Sequence, residues 1–220
     1  MANLDEARVL LEEGWKAREA LDLDTARIKL QESQQVFEET GEFQLVTESL
    51  NHQAYTEKLD AGQHAVLALE LAMKSEQIAV EHGVDPVLTY RAVMSTAETA
   101  GLFELALQYA NKMLPLLDKP ILKGDLMSHI ATFEMRTGNI TKASQSIEQA
   151  LSLLEEGWET EREPHRTIWK LRALCTKAII KSNMGEKDEA KNLLENAKRI
   201  AENNDLKPRL KQIETLIKHL

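Results

Sequence analysis

Three glycines in the chain each stand five residues ahead of an alanine: Gly101 and Ala106, Gly138 and Ala143, Gly185 and Ala190. Four residues past each alanine come Ala110, Ile147 and Leu194, and three further on come Met113, Ala150 and Ala197. Spacings of i, i+4 and i+7 put each set on one face of a helix. The glycine ahead ends the previous helix, because it adopts positive φ without a Cβ clash. Counting back twelve residues from each alanine gives Met94, Ala131 and Ala178, and sixteen gives Tyr90, Met127 and Leu174. The same template fits Leu10, Gly14, Ala26, Leu30 and Ser33, with Leu21 in the place of the turn glycine. A two-helix unit of this size cannot bury its apolar face alone, so successive units must stack over a shared core.

A further pair fills 43–82, with Leu50, Ala54 and Leu59 in its first helix, Gly62 at its end, and Ala65, Leu69, Ala72, Ile78 and Ala79 in the second. Either Ala68 or Ala72 takes the template alanine there. The spacing predicts helices over 4–20, 23–40, 43–60, 64–82, 86–100, 103–117, 120–137, 140–157, 164–184, 187–204 and 207–220. The expected fold is all-α, a right-handed α-solenoid of about five antiparallel helix pairs. Repeats at 4–40, 43–82, 86–117, 120–157 and 164–204 form a single domain over 1–220. The last segment carries Leu210, Ile213, Leu216, Ile217 and Leu220 on one stripe and reads as a capping helix. Aromatics are only 5% of the sequence, which disfavours a sheet.

Local chemistry supports these boundaries. Asp24, Thr25, Thr141 and Asp188 suit the starts of second helices. Pro86, Pro120, Pro164 and Pro208 suit first turns, where a missing N–H costs little. Pro115 should end its helix early. The acidic stretch from Glu155 to Glu163 reads as the longest and most mobile linker.

The segments Gly138-Asn139-Ile140-Thr141-Lys142-Ala143 and Gly185-Glu186-Lys187-Asp188-Glu189-Ala190 resemble the turn of tetratricopeptide repeats, and the resemblance spreads over nearly all of 4–204. It departs from that family where Ala17, Ala97, Glu134 and Lys181 replace an aromatic late in the first helix. The template alanines also recur unevenly, as in the longer, irregular arrays of regulatory proteins. The resemblance implies a cytoplasmic, regulatory scaffold that binds a protein or peptide and catalyses nothing.

Charge divides unevenly along the sequence. Residues 1–110 carry 8 Lys/Arg against 20 Asp/Glu, a balance of −12, whereas from Arg166 onward 13 basic residues face 7 acidic ones, a balance of +6. An acidic surface of this extent disfavours general nucleic-acid binding, while the basic end suits an acidic partner. The first residues carry acid and no apolar run, so neither a secretory signal nor a membrane span is expected. No HExxH, CxxC, GxGxxG, P-loop or GxSxG pattern occurs. The six histidines stand without a repeated i+4 partner, so neither metal nor cofactor is expected. Cys175 is alone, with no neighbouring group to activate it.

In a stacked array the first helices line the concave side. Their uncommitted faces read Arg8, Leu11, Trp15 and Arg18; Asn51, Tyr55 and Lys58; Leu88, Arg91, Ser95 and Glu98; Asp125, Ser128, Thr132 and Met135; and Arg172, Cys175, Ile179 and Ser182. Cations mixed with aromatic and aliphatic groups suit a peptide of acidic character. A merely solvated face is the alternative, and for Trp15 groove contact and packing stand equal. Trp158 is expected to staple a neighbouring repeat. Two other functions remain open: self-association of acidic N-terminal and basic C-terminal surfaces, and a small-ligand or peptide sensor with a pocket between repeats.

Overall fold

The computed structural model describes residues 3–60 and 64–219. Gly62 and Leu220, assigned above to a helix end and to the capping stripe, lie outside the described residues. Among the described residues there are eleven α-helices, two single 3-10 turns and no strand. Contacts gather them into two compact units, residues 1–113 and 114–220.

The first unit holds α1 (Leu4–Glu19), α2 (Leu23–Thr40), α3 (Phe43–Leu59), α4 (Ala65–His82), α5 (Val87–Thr99) and α6 (Phe103–Met113). Asn3 Oδ1 starts α1 by accepting from the N–H groups of Asp5 at 3.1 Å and Glu6 at 3.3 Å. Asp22, rather than Asp24 or Thr25, caps α2 by accepting from the Thr25 N–H at 3.3 Å. The core of the first hairpins joins Ala7, Leu11, Ala26, Leu30, Phe37, Val46 and Leu50. Gly14 is needed because a Cβ there would lie 2.8 Å from Leu30 Cγ. The pair 43–82 stacks into this core as an ordinary hairpin, with both Ala68 and Ala72 fully buried. Pro115 acts as expected: α6 stops at Met113, and a 3-10 turn, Leu114–Leu116, follows.

The second unit holds α7 (Pro120–Arg136), α8 (Ile140–Glu156), α9 (His165–Asn183), α10 (Lys187–Asn203) and α11 (Lys207–His219). Pro120 and Pro208 lie in first turns as expected, whereas Pro86 and Pro164 sit one residue ahead of their helices. Leu171, Leu174, Ala178, Ala190, Leu194, Ala197, Ala201 and Ile213 form one core, with Leu210, Leu216 and Ile217 packed against it. Burying Ile213, 1% exposed, contributes about 1.5–3 kcal/mol and holds α11 in its capping place.

Two departures from the tetratricopeptide pattern now have a physical account. Glu134 stands where an aromatic is usual, yet it is 2% exposed, accepts from Ser146 Oγ at 2.6 Å and pairs with Lys142 at 3.2 Å. Lys181 reaches Glu186 at 2.8 Å and Glu189 at 3.1 Å across the next turn. Polar links thus join the two helices of each hairpin where a ring would otherwise pack.

The acidic linker differs from expectation. Trp158–Thr160 forms a 3-10 turn, and Gly157 is buried so tightly that a Cβ would lie 2.4 Å from the Ile121 nitrogen. Trp158 takes Arg166 and Lys170 of α9 over its ring, 5.1 and 5.0 Å from the centroid. The segment is tied to both neighbouring hairpins. Its acidic composition concealed a glycine contact and a cation–π staple.

Candidate peptide-binding faces

In the first unit the expected face joins side chains from three hairpins. Arg18 Nη1 donates to His52 Nδ1 at 2.9 Å and its guanidinium lies 5.7 Å from the Tyr55 ring centroid, linking α1 to α3. Accepting at Nδ1 places the His52 proton on Nε2. Burial, and next the charge of Arg18, pull the His52 pKa down to about 4, so the ring is neutral near pH 7. Burial raises the Tyr55 phenol, offset by the charges of Arg91 and Arg18. Lys58 Nζ donates to Ser95 Oγ and joins α3 to α5.

Exposure along this face is uneven. Leu11, Arg18 and Asn51 are buried, so they support the surface from beneath. Tyr55, Lys58, Arg91, Ser95 and Glu98 are half-buried. Arg8, Trp15 and Leu88 reach solvent, with Trp15 41% and Leu88 55% exposed. Between α1 and α3 a hollow of about 250 Å³ is walled by Arg8, Leu11, Glu12, Trp15, Glu48 and His52. Glu48 and His52 were not among the expected residues. Asn51 Oδ1 is a buried acceptor with no hydrogen-bond partner among the described residues.

In the second unit Arg172 is the organising side chain. Its Nη1 donates to Asp125 Oδ1 at 2.5 Å and to His129 Nε2 at 2.7 Å, spanning α7 and α9. Asp125 and Ser128 are fully buried, and Ser128 Oγ donates to the Gly124 carbonyl at 3.1 Å. Thr132 Oγ1 lies 3.3 Å from Thr176 Oγ1, and Met135 Sδ accepts from Asn183 at 3.6 Å. These groups fasten α7 to α9. Cys175, Ile179 and Ser182 are half-buried. Burial pushes the Cys175 thiol up to about 11, which keeps it protonated and unreactive near pH 7.

Sequence and structure comparisons agree with this geometry. A family model for the tetratricopeptide repeat matches residues 171–204. A solved structure of the nearly identical TPR-like repeats of a putative kinesin light chain from Podosopora anserina superposes with a TM-score of 0.71 at 15% identity. That match covers 93% of this protein and 99% of that one. The fold is that of a tetratricopeptide-like repeat array. BtubC (BKLC) from P. vanneervenii matches at TM-score 0.60 and 14% identity, covering 91% of this protein and 90% of its own length. MamA matches at 0.58 and 17%, covering 89% and 92%. No curated protein matches the sequence significantly.

Two further features of this tetratricopeptide-like array were not anticipated. A trough of about 510 Å³ lies between α2, α3 and α4, with Gln31, Gln34, Gln35 and Gln53 beside Arg27 and Lys74. The glutamines of α2 were its only sequence signal. At the end of α3, ligand atoms of Glu57, Asp60 and His64 lie within 4.8 Å of one another, a spacing a cation could use. Arg27 already binds both carboxylates, at 2.7 Å from Glu57 Oε1 and 2.5 Å from Asp60, and these bonds raise its pKa. An ion there would have to displace a guanidinium held by two carboxylates. The trio is therefore satisfied as a link between α2 and α3.

Proposed function

We propose that the protein is a non-catalytic protein-interaction module whose first helices hold a peptide or protein segment of acidic character. The observation that carries this reading is the joining of Arg18, Tyr55, Lys58 and Ser95, from α1, α3 and α5, beneath the solvent-facing Arg8, Trp15 and Leu88. A large aromatic held at an open margin above fixed cations suits an anchor residue flanked by acids. The basic balance of the sequence after Arg166 points to the same kind of partner. A lone cysteine and the resemblance to regulatory arrays fit a cytoplasmic setting.

Fluorescence anisotropy with labelled acidic peptides tests the reading. Trp15→Ala should weaken binding by about 2 kcal/mol, roughly thirtyfold, as expected of an interface anchor. Affinity unchanged in both Trp15→Ala and Arg8→Glu would remove this face as the site. Self-association through opposite charges is the second reading, motivated by the −12 and +6 balances. Sedimentation that is monomeric and independent of salt would contradict it.

A further inference from the structure

From its apolar stripe, α11 is expected only to close the core. It also brings a guanidinium to the face of the second unit. Arg209 is half-buried, and its hydrogen bond is to a neutral group of its own helix, Gln212 Oε1 at 2.9 Å. No carboxylate among the described residues forms an ion pair with it. Beside it stands Arg172, whose Nη1 is fixed by the fully buried Asp125 and by His129. Burial and then the charge of Arg172 lower the Arg209 pKa, opposed by Cys175 and Asp125. Two guanidiniums thus converge from different helices, and Asp125 is the acid that both feel.

We infer that Arg172 and Arg209 form a subsite for one carboxylate of the bound segment, making α11 part of the binding face. The inference rests on the peptide-binding reading. Asp125 offsets one of the two positive charges, which leaves a single charge for a monoanion to balance. A carboxylate matches the planar donor fork of each guanidinium and would relieve their mutual repulsion. An acidic residue within the segment or the terminal carboxylate of a peptide could supply it.

Cys175 is the single cysteine of the sequence and shares this site, so its alkylation reports on the local field. Its thiolate displaces iodide from iodoacetate, an anion, or from neutral iodoacetamide. The ratio of the two rates cancels the thiolate population. In Arg209→Gln the iodoacetate rate should fall about fivefold relative to iodoacetamide, as expected for loss of one nearby charge. Arg209→Lys should restore the ratio, and Arg199→Gln, on the exposed side of α10, should leave it unchanged. An unchanged ratio in Arg209→Gln overturns the subsite.

Two peptides then distinguish the sources: an oligoglutamate blocked at both ends, and an acetylated Gly-Ser peptide with a free C-terminus. The one that supplies the carboxylate should lose about tenfold in affinity in Arg209→Gln. If both bind Arg209→Gln as they bind the wild type, the subsite is overturned. Continued sensitivity to Trp15→Ala would then leave the peptide face standing.

Discussion

The first hairpin, α1–α2, and the last, α9–α10, make the same turn from different residues. In the last, Gly185 has φ +87°, its N–H donates to the Ser182 carbonyl at 3.0 Å, and the Glu186 N–H donates to Lys181 at 2.9 Å. In the first, Leu21 has φ +62°, its N–H donates to the Arg18 carbonyl at 3.0 Å, and the Asp22 N–H donates to Ala17 at 3.0 Å. The hydrogen-bond pattern is identical, and leucine is a poor residue for that φ. The tetratricopeptide family model nevertheless matches only the stretch containing the last hairpin, 171–204. The contrast teaches that the buried seam between helices imposes the turn, while the turn residue only adjusts its cost.

Breaking the seam should therefore matter most. Gly14→Val would drive a side chain into Leu30, whose Cγ lies 2.8 Å from the Cβ position, and should cost about 3 kcal/mol in a denaturant melt. A loss below about 1 kcal/mol would mean that the first seam is loose.

Acid should act next, and on the first unit. The His52 pKa is depressed from 6.5 to about 4, so the unfolded protein binds the extra proton between these values. Stability from this residue is complete above pH 6.5 and falls as pH drops toward 4. The loss should reach on the order of 2 kcal/mol, and it should be missing from the difference curve of His52→Gln. Parallel pH curves for the two proteins would contradict the assignment.

The turns should respond least, and in opposite directions. Gly185→Leu should destabilise by about 1–2 kcal/mol, because it gives the last hairpin the strain of the first. Leu21→Gly should stabilise by less than about 1 kcal/mol, since Leu21 is 70% exposed and buries little. Thermal melts of both variants check the pair. Equal effects of the same sign would break the comparison.

The helices were legible because the template recurs at residues that are almost all buried: Ala106, Ala143, Ala190 and their i+4 and i+7 partners pack into cores. The site was less legible. Position on a helix face placed Arg18 and Asn51 toward the expected groove, but small neighbours such as Gly14 and Ala54 let helices close over them. Burial depth depends on how near the next helix comes, and spacing along one helix carries no record of that distance. Arg209 was passed over because α11 was read for its apolar stripe alone. The positive balance after Arg166 was the available signal.

Hydrogen–deuterium exchange with an oligoglutamate peptide at saturation tests the central claim most directly. The account predicts added protection in α1, α3 and α5 of the first unit and in α7, α9 and α11 of the second, with α2, α4, α8 and α10 unchanged. Protection concentrated in the second helices of the hairpins would contradict it.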